Sequence, residues 1–87
     1  MSKIVIATAG NTLAPALITL RELGYIVSKV SDDSLLLQAE NGQYRLVAED
    51  TLQLLGLASI AAHRGPDWAP TDTEISALLS LDGRNGA

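Results

Sequence analysis

The chain contains no cysteine and no phenylalanine, and aromatic residues make up only 3% of it. The absence of cysteine excludes disulfides, thiolate metal ligands and a cysteine nucleophile, and it fits a reducing cytoplasm. Because 47% of the residues are hydrophobic and almost none is aromatic, the predicted core is aliphatic. A chain of 87 residues has room for one such core. We predict one domain over residues 1–82 and a disordered tail at 83–87.

Positive charge is also scarce, with six Lys and Arg against ten Asp and Glu and a net charge of −4. This balance argues against non-specific nucleic-acid binding, which depends on neutralising phosphates. The apolar run in the opening "MSKIVIATAG" is too short for a signal peptide or a membrane span. The sequence therefore predicts a cytoplasmic protein with no nucleic-acid or membrane partner, whose acidity suits a basic protein partner.

The first elements are predicted from apolar patterning. Residues 3–8, "KIVIAT", are largely β-branched and apolar on both faces, which is typical of a central strand covered on both sides. Apolar residues then recur at helical spacing from Leu13 to Leu20, and Gly24 supplies a stop signal. This pattern predicts a helix over residues 12–23.

Residues 25–48 predict three strands joined by two tight turns. Asn41-Gly42 is a strong signal for a two-residue type I′ turn, since both central positions of that turn need positive φ. Asp32-Asp33 is taken as the preceding two-residue turn. The two turns place six pairs on one apolar face, namely Ala39–Tyr44, Leu37–Leu46, Leu35–Ala48, Val30–Leu35, Ser28–Leu37 and Ile26–Ala39.

Two further helices complete the predicted fold. Asp50 is placed to cap the second, with Gln53 three residues later as in a capping box, and Gly65 ends it. "TDTE", residues 71–74, is a second capping box and opens the third helix. The predicted class is α+β with the order β-α-β-β-β-α-α. Its mixed four-stranded sheet has the first two strands parallel and the helices packed on one face.

No catalytic or metal-binding motif is recognisable. The sequence lacks Gly-x-Ser-x-Gly and His-Glu-x-x-His, and it has one histidine. The carboxylate pairs Asp32-Asp33 and Glu49-Asp50 have local roles at a turn and at a helix N-terminus. We therefore predict no catalytic residue, no metal, no cofactor and no enzymatic activity.

Two candidate sites remain, of which the first is "HRGPDWAPTDTE", residues 63–74. Trp68 is either a hydrophobic lid over the ends of two helices or an exposed anchor for a protein partner. In the second interpretation its neighbours His63, Arg64 and Asp67 contribute to the same surface.

The second candidate site is the "ATAGNT" loop before the first helix, where small residues at a helix N-terminus can cradle an anion. It gives the alternative function, a small-ligand or anion sensor using Thr8, Gly10, Asn11 and Thr12. The structural alternative is a tight turn with an Asn or Thr cap.

The run "GLASIAAHRGPDWAPTDTEI" resembles the C-terminal part of small bacterial proteins of the polymorphic-toxin immunity type. The resemblance covers about a quarter of the chain, and no functional residue is carried over from it. It implies a cytoplasmic protein that acts by binding another protein.

The function predicted from sequence is therefore an acidic protein-binding module of the immunity or inhibitor type. Asp32, Asp33 and Glu40 are further candidate contacts for a basic partner, because charge complementarity speeds and selects encounter. For assembly we predict a monomer or a weak homodimer. Val27, Leu36 and Val47 form an apolar strip on the outer sheet face, and an edge strand is the favoured route to pairing.

Overall fold

The computed structural model describes residues 2–8 and 11–83, so the predicted tail beyond Gly83 lies outside the described residues. The described residues form three helices and three strands, which confirms the α+β class. In chain order these elements are α1 (Leu13–Glu22), β1 (Ile26–Lys29), β2 (Leu37–Glu40), β3 (Arg45–Ala48), α2 (Thr51–Arg64), a 3-10 turn (Gly65–Asp67) and α3 (Asp72–Leu81). None of the helices in the described part of the chain is both long and apolar enough to cross a bilayer.

The sheet has three antiparallel strands in the order β1-β2-β3. The predicted first strand at 3–8 and the mixed four-stranded sheet are wrong, because residues 2–7 form no regular structure. Ile4 is 93% exposed and Val5 and Ile6 are each 85% exposed. β-branched residues favour extended backbone, but a strand also needs a neighbouring strand to accept its hydrogen bonds. This segment lacks such a neighbour in the single chain.

The turn between β2 and β3 differs from the predicted type I′ turn. It spans residues 41–44 and is closed by the Asn41 N–H, which donates to the Tyr44 carbonyl at 3.0 Å. The Asn41 side-chain oxygen accepts the N–H groups of Gln43 and Tyr44 at 2.8 and 2.7 Å. Neither Asn41 nor Gly42 has positive φ. The pairing therefore shifts by two residues, with Leu37 opposite Ala48, which leaves each side chain on its predicted face.

The pairing of β1 with β2 is shifted by one residue from the prediction. Val27, rather than Ile26, lies opposite Ala39. Asp32-Asp33 does not form a two-residue turn, because residues 30–36 make a longer connection in which the Val30 N–H donates to the Leu36 carbonyl at 3.0 Å. Val27 therefore packs against the core. Ile26, which is 75% exposed, replaces it on the outer face.

The core lies between the sheet and the first two helices. α1 packs on β1 and α2, and α2 packs on β2 and β3. Leu20 and Leu54 are fully buried there, together with Tyr25, Ala39 and Ala58. The buried set is aliphatic apart from one tyrosine, close to the composition-based prediction.

The helix ends follow the predicted signals closely. Asp50 caps α2 by accepting the Gln53 N–H at 2.8 Å, and Gly65 ends the helix with a φ of +67°. The Gln53 side chain accepts the N–H of Glu49, one residue before the cap, so the arrangement is a variant of the capping box. α3 opens with a complete capping box, yet none of its residues is buried.

Candidate functional site

An apolar groove runs along the free edge of β3, between that strand and the flank of α2. Its more enclosed part has a volume of about 350 Å³, and a more open part continues it, since Val47, Leu57 and Ile60 line both. We call this feature the β3 groove. The other lining residues are Tyr44, Arg45, Leu46, Ala61 and Trp68 in the enclosed part and Leu36, Ala48, Glu49, Gln53 and Gly56 in the open part.

The groove exists because α2 is apolar over more of its surface than a three-stranded sheet can cover. Leu54 and Ala58, four residues apart on one face, are buried in the core. Leu57 and Ile60 lie on the adjacent flank and extend past β3, which is the last strand of the sheet. Ile60 is consequently 42% exposed.

Trp68 lies at the mouth of the β3 groove. Its side chain lines the enclosed part, and the residue is 61% exposed. The ring therefore does not close the core, and the interpretation of Trp68 as a buried lid is wrong. The interpretation of Trp68 as an exposed anchor for a protein partner stays a prediction.

The backbone that carries Trp68 is held by one charged pair. Arg64, the last residue of α2, donates through Nη1 to Glu74 Oε2 and through Nη2 to Glu74 Oε1 at 3.0 Å. Nη2 also donates to the Ala69 carbonyl at 3.2 Å. This two-pronged contact joins the end of α2 to the first turn of α3 and spans the loop on which Trp68 is presented.

The same pair changes the acidity of both partners. Hydrogen bonding from Arg64, followed by that from the Thr71 N–H, lowers the pKa of Glu74 to about 2. Hydrogen bonding to Glu74 in turn raises the pKa of Arg64. Both groups are charged at neutral pH, so the contact that spans the loop is an ion pair there.

The residues predicted to contact a partner lie at two opposite ends of the sheet. α2 begins beyond the end of β3 and returns along the sheet, so its last turn lies beside the 41–44 turn. There the Tyr44 hydroxyl is 3.9 Å from the position that a Cβ on Gly65 would take. His63, Arg64, Asp67, Trp68 and Glu40 belong to this end, whereas Asp32 and Asp33 lie in the 30–36 connection at the other. One compact surface cannot contain both sets.

The predicted ligand loop lies at the start of α1. Thr12 is at the N-cap position but makes no side-chain cap hydrogen bond, while the Asn11 side chain accepts the Ala14 N–H at 3.4 Å. Thr8 is an exposed turn residue, and Gly10 lies outside the described residues. The anion-sensor hypothesis stays a prediction without a further observation in its favour. Within the described ranges no group of three or more His, Cys, Asp or Glu residues is placed to hold a metal ion.

Sequence reasoning identified Trp68 but missed the groove beside it. The missed lining residues are Tyr44, Leu57 and Ile60. A signal for them was present, because apolar residues surround α2 on nearly all sides and a helix in a two-layer fold needs only one covered stripe. Comparisons with protein families, with curated proteins and with solved structures found no match to this chain.

Proposed function

We propose that the chain is a small acidic protein-binding module of the inhibitor type, acting in the cytoplasm, and that the β3 groove is its binding surface. The observation that carries the proposal is the juxtaposition of three features. They are a β3 edge that no other described strand pairs with, an apolar groove whose enclosed part measures about 350 Å³, and a tryptophan that is 61% exposed at its mouth.

The mode of binding follows from the free edge. An edge strand offers a row of unpaired N–H and C=O groups, and an extended segment of another chain pairs with them by strand addition. In the β3 groove, alternate side chains of that segment would enter the space beside Leu57 and Ile60. Trp68 would cover one end of the segment and anchor it.

Charge selects the partner. Glu40 and Asp67 are both exposed at the Trp68 end of the sheet, and the whole chain carries a net charge of −4. An extended apolar segment that carries lysine or arginine would be drawn to this surface by electrostatic steering. Its cation is best placed beside Glu49, because Arg45 lines the groove at the Trp68 end. Asp32 and Asp33 lie at the far end of the sheet and belong to this proposal only through the overall charge.

The direct test uses a synthetic peptide, Lys-Val-Thr-Val-Thr-Val-Lys, and isothermal titration calorimetry. Its control, Lys-Val-Pro-Val-Pro-Val-Lys, cannot donate backbone hydrogen bonds at its two prolines. We expect the first peptide alone to bind and to shift the amide signals of residues 45–48. Replacing Trp68 with alanine should cost about 2 kcal/mol, or about 30-fold in affinity.

A matched pair of charge substitutions locates the site. Ile60→Asp places a carboxylate in the groove and should abolish peptide binding, because an unpaired charge is costly to bury. Leu35→Asp makes the same kind of change at an apolar residue that is 93% exposed and does not line the groove, and it should leave binding unchanged. Equal binding of the two peptides, or full binding by Ile60→Asp, would contradict the proposal.

A further inference from the structure

The segment before α1 carries apolar side chains that are almost fully exposed in the single chain. Residues 2–7 are without regular structure, and Ile4, Val5 and Ile6 are between 85% and 93% exposed. Three consecutive β-branched residues favour an extended conformation and leave an apolar patch that a soluble chain rarely presents to water. The segment has the composition of a strand but has no neighbouring strand.

The free edge of β3 can supply the neighbouring strand that this segment lacks. β3 has four residues and a free edge, so it can pair along about 13 Å with an added strand at about 3.3 Å per residue. Ile4 and Ile6, two residues apart, point to one side of such a strand, and Val5 points to the other. The two isoleucines then enter the groove beside Ile60, while Val5 lies next to Val47 on the outer face.

Charge decides the direction of pairing. Lys3 begins the segment, Arg45 begins β3, and Glu49 follows its end within the groove lining. Antiparallel addition places Lys3 beside Glu49, whereas parallel addition places it beside Arg45. Opposite charges across a strand pair are favourable and like charges are unfavourable, so the antiparallel arrangement is favoured.

The antiparallel arrangement implies that the segment comes from a second copy of the chain. The Thr51 hydroxyl donates to the Leu13 carbonyl at 2.6 Å, which fixes the start of α1 close to the end of β3. A strand leading directly into α1 would therefore run parallel to β3 of its own chain and bring Lys3 to Arg45. A second copy related by a twofold axis is free of this constraint.

We infer that two copies of the chain form a symmetric dimer by exchange, in which residues 3–7 of each copy add antiparallel to β3 of the other. The inference rests on the proposed function of the β3 groove as a strand-binding surface and names its occupant. Exchange is reciprocal, so both free edges and both exposed segments are covered in one closed assembly. A partner protein would then compete with the segment for the groove.

Cross-linking tests the exchange directly, because the native chain has no cysteine. Lys3→Cys is made in a chain with an enlarged tag and Glu49→Cys in an untagged chain, and the two are mixed and oxidised gently. We expect a disulfide-linked heterodimer, whose size lies between that of two tagged chains and that of two untagged chains. A mixture of the Lys3→Cys and Arg45→Cys chains should give much less cross-linked heterodimer. A monomeric, internally cross-linked product from the double variant Lys3→Cys, Arg45→Cys would overturn the inference.

Light scattering supplies the second readout. The unmodified chain should form a dimer, and Ile6→Asp should weaken dimerisation at least tenfold, while Leu35→Asp should not. Because Ile6 is exposed in the single chain, Ile6→Asp should retain its fold, as circular dichroism can verify. A monomeric native chain, or an Ile6→Asp variant that still dimerises fully, would overturn the exchange.

The peptide separates this inference from the proposed function. If the chain is monomeric but Lys-Val-Thr-Val-Thr-Val-Lys still binds, the groove accepts strands and only the exchange is wrong. If neither the peptide nor the segment binds, both proposals fail. With exchange in place, the peptide should bind Ile6→Asp more tightly than the unmodified chain, because the competing segment no longer occupies the groove.

Discussion

The Glu74 carboxylate connects α3 with its N-cap residue Thr71 and with Arg64 at the end of α2. Its Oε1 accepts the Thr71 N–H at 2.8 Å and Arg64 Nη2 at 3.0 Å, and its own N–H donates to the Thr71 hydroxyl. The carboxylate thus completes the capping box of α3 and links α3 to the end of α2. α3 buries none of its residues, so this contact is one that helps to orient the helix relative to the β3 groove.

This contact gives a pH dependence with a definite sign. The fold lowers the pKa of Glu74 from its ordinary value of 4.5 to about 2. The stabilisation is therefore fully present above pH 4.5 and is lost as the pH falls towards 2. We expect NMR titration of the Glu74 carboxyl to give a midpoint near 2, and we expect hydrogen-exchange protection in α3 to decrease over the same interval.

Two variants separate the cause of this shift from a general effect of acid. Arg64→Met keeps much of the side-chain bulk and removes the charge, so the Glu74 midpoint should move back towards 4.5. Arg64→Lys keeps the charge without the two-pronged geometry and should give an intermediate value. Since both side chains are partly exposed, high salt should also raise the midpoint. A midpoint that Arg64→Met leaves unchanged would refute this account.

At the scale of elements, α2 is the helix on which both the core and the groove depend. Its N-terminus is held by Asp50, which accepts the Gln53 N–H at 2.8 Å. Asp50→Ala should destabilise the protein by about 1 kcal/mol, whereas Asp50→Asn preserves the acceptor and should cost much less. Urea unfolding monitored by circular dichroism measures the difference. Equal stability of the two variants would show that the cap contributes little.

The helices were predictable because their signals are local. The Asp50 cap, the Gly65 stop and the Thr71 capping box act within a few residues of sequence, and each forms where it was expected. The strand pairings were harder to predict from the sequence, since register depends on contacts between distant residues and on turn geometry. Asn41 closes its turn with a side-chain oxygen rather than with positive φ, and that one difference moved the pairing by two residues.

The candidate site was predictable only in part, for the same reason. Trp68 is conspicuous in the sequence as its only tryptophan. The groove beside it depends on where the sheet ends, which the sequence does not specify locally. The wrong fourth strand has a similar cause, because the β-branched pattern of residues 3–8 is local, whereas the neighbour that a strand needs is set by the tertiary arrangement.

At the scale of the whole molecule, the single chain buries few apolar residues and has a large radius of gyration for its length. Its radius of gyration is 15.5 Å, whereas a compact domain of this length has about 12 Å. Seven apolar residues are buried in the described part of the chain, and fifteen large hydrophobic residues are exposed. A core this small gives a marginal free energy of unfolding, so covering the exposed segment and groove should add a substantial part of the stability.

The exchanged dimer therefore predicts that stability depends on protein concentration. When a native dimer unfolds to two free chains, mass action stabilises the folded state as concentration rises. A hundredfold increase should raise the apparent free energy of unfolding by about 2.7 kcal/mol, which moves the urea midpoint by roughly 1–3 M for a small protein. Ile6→Asp should have a lower midpoint that depends less on concentration, while Leu35→Asp should behave like the unmodified chain. A midpoint of the unmodified chain that stays constant over this range would mean that the small core alone sustains the fold and that the exposed segment adds nothing to it.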